Sequence, residues 1–234
     1  MTASTIADQL SKGLNEKVHI EYVNGGDTLI LRVDGDHLVE AVQYLRNQME
    51  ARFMYSVGMD TRKQNGCLAV NQVIGLDRDK SFLVLRTDVN PEHAEVPSLT
   101  PMIPGANWHE REVRDMIGIA PIGHPDPRRL VLPDDFPADS HPLRRDFKFD
   151  EHPPQVNGNP PLLRKPPKGA RTVPIGPFYP TLEEPVFINL FVEGEHIVDV
   201  DYRGFYGHRG VEKLGDSDLT YQQVQFLAER ICGI

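Results

Sequence analysis

The chain has 234 residues and a formal net charge of -9, with 39% hydrophobic residues. An acidic chain with no Lys/Arg stripe repels phosphate backbones, which argues against nucleic-acid binding. Its apolar runs are only a few residues long, far short of a membrane span, and the N-terminus lacks the charged-then-apolar layout of a signal peptide. The expectation is a cytoplasmic protein that meets a membrane only through partners.

Residues 18–23 (VHIEYV) alternate apolar and polar, as do 28–33 (TLILRV). Asn24-Gly25-Gly26-Asp27 between them predicts a β-hairpin. From His37 to Glu50, Leu38, Ala41, Val42, Leu45 and Met49 recur at helical spacing, with Asp34 or Asp36 placed to cap the start. Further strands are predicted at 53–58, 68–76 and 81–87. The pattern suggests an α+β sheet with its helices on one face. Cys67, at the start of the 68–76 strand, reads as a small buried hydrophobe.

Residues 107–147 change character. Trp108 to Ile117 has helical spacing, with Trp108, Val113, Met116 and Ile117 on or near one side. Beyond Gly118 the chain is dense in Pro, Gly, Asp and Arg. Prolines fix φ and Arg–Asp pairs can be bidentate, so this stretch reads as an extended arm held by ion pairs against a partner surface. His109, His124 and His141 match no zinc spacing.

Eleven of the twenty prolines fall between Pro142 and Pro185. Residues 150–171 carry three Pro-Pro pairs and almost no periodicity, which marks an extended, semi-rigid linker. After it, 185–192 (PVFINLFV) and 196–202 (HIVDVDY) flank Glu193-Gly194-Glu195 as a second hairpin. A helix is predicted over 219–231, with Thr220, Val224, Leu227 and Ile231 on one stripe. Asp216, Ser217 or Asp218 can serve as its N-cap, and Thr220 with Gln223 can form a capping box.

Glu110-Arg111-Glu112-x-x-Asp115-Met116-x-Gly118, Gly123-His124-Pro125-Asp126-x-Arg128-Arg129, Leu132-Pro133-Asp134-Asp135 and His141-Pro142-Leu143-Arg144-Arg145-Asp146-Phe147 occur in order. Together they resemble the C subunit of NADH:quinone oxidoreductase (complex I), a domain also found in energy-converting hydrogenases. The resemblance covers about residues 1–150 and implies an α/β sandwich with a long C-terminal arm. It implies that Glu110, Arg111, Glu112, Asp115, Gly118, His124, Asp126, Arg128, Arg129, Arg144 and Arg145 anchor the arm and dock it on other subunits.

Residues 172–234 resemble the start of a [NiFe]-hydrogenase large subunit, which is related to the D subunit of complex I. The matching motifs are Ile175-Gly176-Pro177-Phe178-Tyr179-Pro180, Gly207-His208-Arg209-Gly210-x-Glu212-Lys213 and Arg230-Ile231-Cys232-Gly233. That resemblance implies the N-terminal hairpin and first helix of the large-subunit fold, with 151–171 as linker. It implies Cys232 as a nickel ligand, with Arg230 lowering the thiol pKa and offering donors to the iron's ligands. Glu184, with Glu183 as fallback, would pass protons outward, and His208, Arg209 and Glu212 lie beside the site or tie the turn down. Phe178-Tyr179 stands where the D subunit of complex I has a quinone-binding histidine, which favours hydrogenase.

The family's first metal motif is Arg-x-Cys-Gly-x-Cys, and this sequence ends one residue before the second cysteine. A fragment, a frameshift or a stop codon read as selenocysteine each accounts for that. The implied protein is the large subunit of a membrane-bound, energy-converting [NiFe]-hydrogenase on the cytoplasmic face of the membrane. It would carry a Ni–Fe centre and work with an iron–sulfur small subunit resembling the B subunit of complex I, whose clusters carry the electrons, alongside other peripheral-arm and membrane-arm subunits. The competing readings are a fused C–D subunit of a quinone-reducing enzyme and a non-catalytic scaffold. The 234-residue chain alone is expected to be inactive, with one of four cysteine ligands.

Overall fold

A computed structural model describes residues 6, 12–14, 18–23, 28–150, 153, 154, 156, 163–177 and 185–231. The chain forms two compact units, Met1–Pro127 and Arg128–Ile234.

In the first unit, β1 (Val18–Val23) and β2 (Thr28–Val33) pair antiparallel from Val18↔Val33 to Val23↔Thr28. This is the expected hairpin, although its turn, residues 24–27, lies outside the described residues. Helix α1 (Gly35–Met49) follows and buries Leu38, Ala41, Val42 and Leu45, the stripe seen in the sequence. Each such leucine contributes about 2 kcal/mol of burial. Asp34 occupies the N-cap, but its side chain makes no capping bond. The His37 N–H instead donates to the Asp34 carbonyl, at 2.9 Å.

Strand β3 (Arg52–Asp60), the one-turn helix α2 (Arg62–Asn65), β4 (Leu68–Leu76) and β5 (Ser81–Val89) complete a five-stranded sheet of order β1-β2-β5-β4-β3. All pairs are antiparallel except β2–β5, which is parallel. Strand β4 is buried along its whole length. Cys67, just before it, is half-buried, less enclosed than expected. Its backbone is held by Thr61 Oγ1 and Asn65 Oδ1.

Leu29, Leu31, Leu83 and Leu85 are buried on one face of this sheet. Helix α3 (Asn107–Ile117) lies on the same face over Gly58 of β3. A Cβ at Gly58 would stand 2.9 Å from Ile117 Cγ1 and 3.0 Å from Val113 Cγ1. Glycine is therefore what lets helix and strand approach so closely. On the opposite face Tyr55, Val57 and Met59 are exposed. A short parallel pair, β6 (Glu95–Pro97) with β7 (Ala120–Ile122), joins the segments on either side of α3.

Val113, Met116 and Ile117 are buried as their spacing predicts. Trp108 is not, being 48% exposed. In its place the helix turns Glu110, Arg111 and Asp115 inward.

In the second unit, β9 (Phe187–Glu193) and β10 (His196–Arg203) form the expected hairpin around Gly194-Glu195. Gly194 takes φ 62, a conformation glycine reaches without strain. Strand β8 (Arg171–Ile175) adds a third member, giving the order β10-β9-β8. No strand is expected here from the sequence, where Arg171 ends the linker and Ile175 opens a loop motif. Thr172, Val173 and Ile175 favour a strand, and Pro174 confines it to an edge, where a missing N–H costs least. Phe191 of β9 is fully buried, the largest such side chain among the described residues. Two short helices follow, α4 (Val211–Gly215) and α5 (Tyr221–Glu229).

Candidate functional site

Glu110 is a buried carboxylate in the first turn of α3. Its Oε2 accepts from Ser98 Oγ at 2.6 Å and from Thr100 Oγ1 at 2.6 Å, while Oε1 accepts from the Leu99 N–H at 2.5 Å. Three donors replace the water the charge has lost, which is how a buried carboxylate is tolerated. Arg111, also buried, lies 3.2 Å from Asp126. Arg114 donates to the Pro127 carbonyl at 2.5 Å and lies 3.4 Å from the buried Asp115. Gly118 ends the helix at φ 82, its N–H shared between the Val113 and Arg114 carbonyls.

The His124 ring is enclosed beside this group. Its Nδ1 accepts from the Asp126 N–H at 2.9 Å and its Nε2 donates to the Asn107 carbonyl at 3.2 Å. With Nδ1 as acceptor the ring's N–H sits on Nε2. Nε2 is also 3.8 Å from Glu110. Glu110, Arg111, Asp115, His124 and Asp126 thus form one inward cluster that holds the 98–100 turn and the 124–127 segment of this chain to α3. Glu112 is half-buried. His109 packs its ring edge-on against Phe53, and burial pushes its pKa down.

In the second unit the arm is bound to β10. Arg128 pairs with the buried Asp201 at 2.8 Å, and Asp134 with Arg203 at 2.6 Å. Arg129 donates to the Phe136 and Pro137 carbonyls at 3.1 Å each, curling the arm on itself. Leu130, Val131 and Leu132 are buried between these anchors. The Arg144 carbonyl accepts from Lys213 Nζ at 2.9 Å, and Arg145 is exposed. The Arg164 N–H, in the expected linker, donates to Asp201 at 2.9 Å, and its side chain pairs with Asp199.

The arm's partners on β10 carry only a weak signal in the sequence. Asp199 and Asp201 sit at alternate positions of a strand, and a carboxylate pair on one strand face, following an arginine-rich segment, was the available signal. Lys213, within the 207–213 motif, has no such signal.

His208 and Glu212 are exposed. Arg209 donates to the carbonyls of Arg230 at 3.2 Å and Ile231 at 2.9 Å, closing the end of α5. Arg230 is exposed and lies 3.1 Å from Glu229. Thr220 and Gln223 form the expected capping box. On the expected stripe Val224 and Leu227 are half-buried, whereas Thr220 and Ile231 are exposed. Cys232, Glu183, Glu184 and the Phe178-Tyr179 pair lie outside the described residues.

Among the described residues no group of three or more His, Cys, Asp or Glu side chains could hold a metal ion. The chain's two cysteines are Cys67 and Cys232. A lone thiolate at Cys232 falls short of the set a Ni–Fe centre needs, so the residues present do not fit that group on their own.

The first unit is an α+β module in which the buried charges of α3 hold the unit's own segments together. Residues 31–153, more than half the chain, match the family of the respiratory-chain NADH dehydrogenase 30 kDa subunit, and the chain belongs to that family. It is 43% identical to hydrogenase-4 component G of Escherichia coli over 84% of this chain and 36% of that protein. It is 41% identical to formate hydrogenlyase subunit 5 of the same organism, over 89% of this chain and 37% of that one. The C/D subunit of NADH-quinone oxidoreductase from Phocaeicola vulgatus is 30% identical over 86% of this chain and 42% of its own length. The chain thus spans well under half the length of these relatives. Among the described residues no helix is long and apolar enough to cross a membrane.

Proposed function

We propose that this chain is the amino-terminal part of the large subunit of a membrane-associated, energy-converting [NiFe]-hydrogenase. The observation that carries this is the graded similarity. Identity is 43% and 41% to components of hydrogenase-4 and formate hydrogenlyase, against 30% to the C/D subunit. The similarity extends past the 30 kDa module, covering 84–89% of the chain in the first two.

On this reading residues 1–150 form the module like the C subunit of complex I, with its docking arm, 151–171 the linker and 172–234 the start of the hydrogenase-type domain. Cys232 is the candidate nickel ligand, and Glu184 and Arg230 are its candidate neighbours. The remaining thiolates would come from chain beyond Ile234. The iron–sulfur small subunit would receive the electrons, and the complex would sit on the cytoplasmic face of the membrane.

The test is to tag the protein at its N-terminus in its native host and purify what assembles with it. Hydrogen evolution from a reduced viologen, with nickel in the complex, is the expected result. NADH-driven quinone reduction without nickel would replace this reading with the fused C–D one. The 234-residue chain expressed alone is expected to bind no stoichiometric nickel by elemental analysis, because two thiolates or more are needed to hold the centre.

A further inference from the structure

We infer that a small cavity between the sheet and α3 is a binding site for one structural water. Ser56 of β3 and Gln72 of β4 are directly opposed across the two strands. Both are buried, 5% and 2% exposed, on the face that also carries Leu29, Leu31, Leu83 and Leu85. Ser56 Oγ and Gln72 Oε1 have no hydrogen-bond partner among the described residues. Native proteins rarely leave such groups unpaired, and a pair of them across one rung is a matched request for a third partner.

The two side chains line a cavity of ≈ 10 Å³ together with Glu110, Val70, Val96 and Val113. That is about the volume of a single water-sized sphere. The third polar wall supplies what the first two lack. A carboxylate offers about four acceptor positions. Glu110 uses two on Oε2, for Ser98 and Thr100, and one on Oε1, for Leu99. One position on Oε1 is left.

A water here donates one proton to Gln72 Oε1 and the other to Glu110 Oε1, and accepts from the Ser56 hydroxyl. Three bonds is the usual complement of a buried water, and every unpaired atom around the cavity is then satisfied. A monovalent cation fits less well, because the Glu110 charge is already met by three donors. The water ties strands β3 and β4 to the carboxylate that gathers the 98–100 turn, so sheet, helix and turn share one hydrogen-bonded centre.

The test uses the full chain. Water–methyl cross-relaxation is recorded on valine-labelled protein, and a crystal structure is solved at a resolution that shows ordered water. The expected result is a long-lived water signal to the Val70, Val96 and Val113 methyls and one density peak bonded to Ser56, Gln72 and Glu110. Gln72→Met keeps the volume and removes the acceptor, and the signal should be lost while shifts elsewhere hold. Should Gln72→Met not fold, Ser56→Ala serves, with a weakened signal expected. Absence of both signal and density in the unaltered chain overturns the inference. So does a signal that survives Gln72→Met unchanged, or a peak that appears only with added ammonium or alkali ions.

Discussion

Glu110 illustrates how a charge can be more useful inside a fold than on its surface. Removing it leaves the Leu99 N–H and two hydroxyls without their acceptor. Glu110→Ala should lower the stability of the first unit by about 3 kcal/mol, because buried donors are left unpaired. Trp108, the chain's one tryptophan, lies two residues away and reports that loss in a urea titration by fluorescence. The exposed Glu195→Ala serves as control and should shift stability by less than about 0.5 kcal/mol.

His109 gives a pH dependence of definite sign. Burial lowers its folded pKa below that of the unfolded chain. The unfolded state therefore binds the proton more readily, and folding stability rises with pH. The His109 contribution is intact above about pH 6.5, the ordinary histidine value, and erodes as the pH falls below it. His109→Gln should flatten the stability profile on that acid side. A slope between pH 7.5 and 5 that is unchanged in the variant would assign the dependence to other groups.

Among the elements, α1 and α5 are a contrast. Helix α1 buries four apolar residues and dispenses with a side-chain cap. Helix α5 buries none, and its ends are held by the Thr220–Gln223 box and by Arg209 on the last carbonyls. Short isolated helices are marginal in water, so such a helix depends on its caps. Thr220→Ala should cost about 1 kcal/mol locally and be visible as lost helical chemical shifts over 221–229. The same change at Asp34 of α1 should do almost nothing, since that side chain makes no capping bond.

For the chain as a unit, the arm matters most. Residues 128–144 are fastened to β10 and α4 by Arg128–Asp201, Asp134–Arg203 and the Lys213–Arg144 contact, over a buried Leu-Val-Leu run. Covalent continuity through the linker is then not needed to keep the arm in place. A protease site inserted at residues 157–160 should, after cleavage, leave the two fragments co-eluting on gel filtration. Arg128→Ala removes the cation paired with the buried Asp201 and leaves that carboxylate the Arg164 N–H alone, at a cost of about 3 kcal/mol, and should separate them. Fragments that part at once without the substitution would show that these contacts are too weak to matter.

Local pattern made much of this protein legible. The period-two runs 18–23 and 28–33, the stripe Leu38-Ala41-Val42-Leu45 and the Thr220–Gln223 box each report near-neighbour physics, and each was found where the residues placed it. The ordered motifs of 110–147 likewise led to the 30 kDa family. What hydropathy could not carry was long-range pairing. The parallel β2–β5 contact joins residues more than fifty apart, and β8 needed β9 beside it before Pro174 made sense as an edge position. The inward turn of Glu110, Arg111 and Asp115 was hidden for the same reason. A charged residue reads as solvent-facing until the fold brings it donors, and here those donors come from turns and loops that only tertiary packing gathers around it.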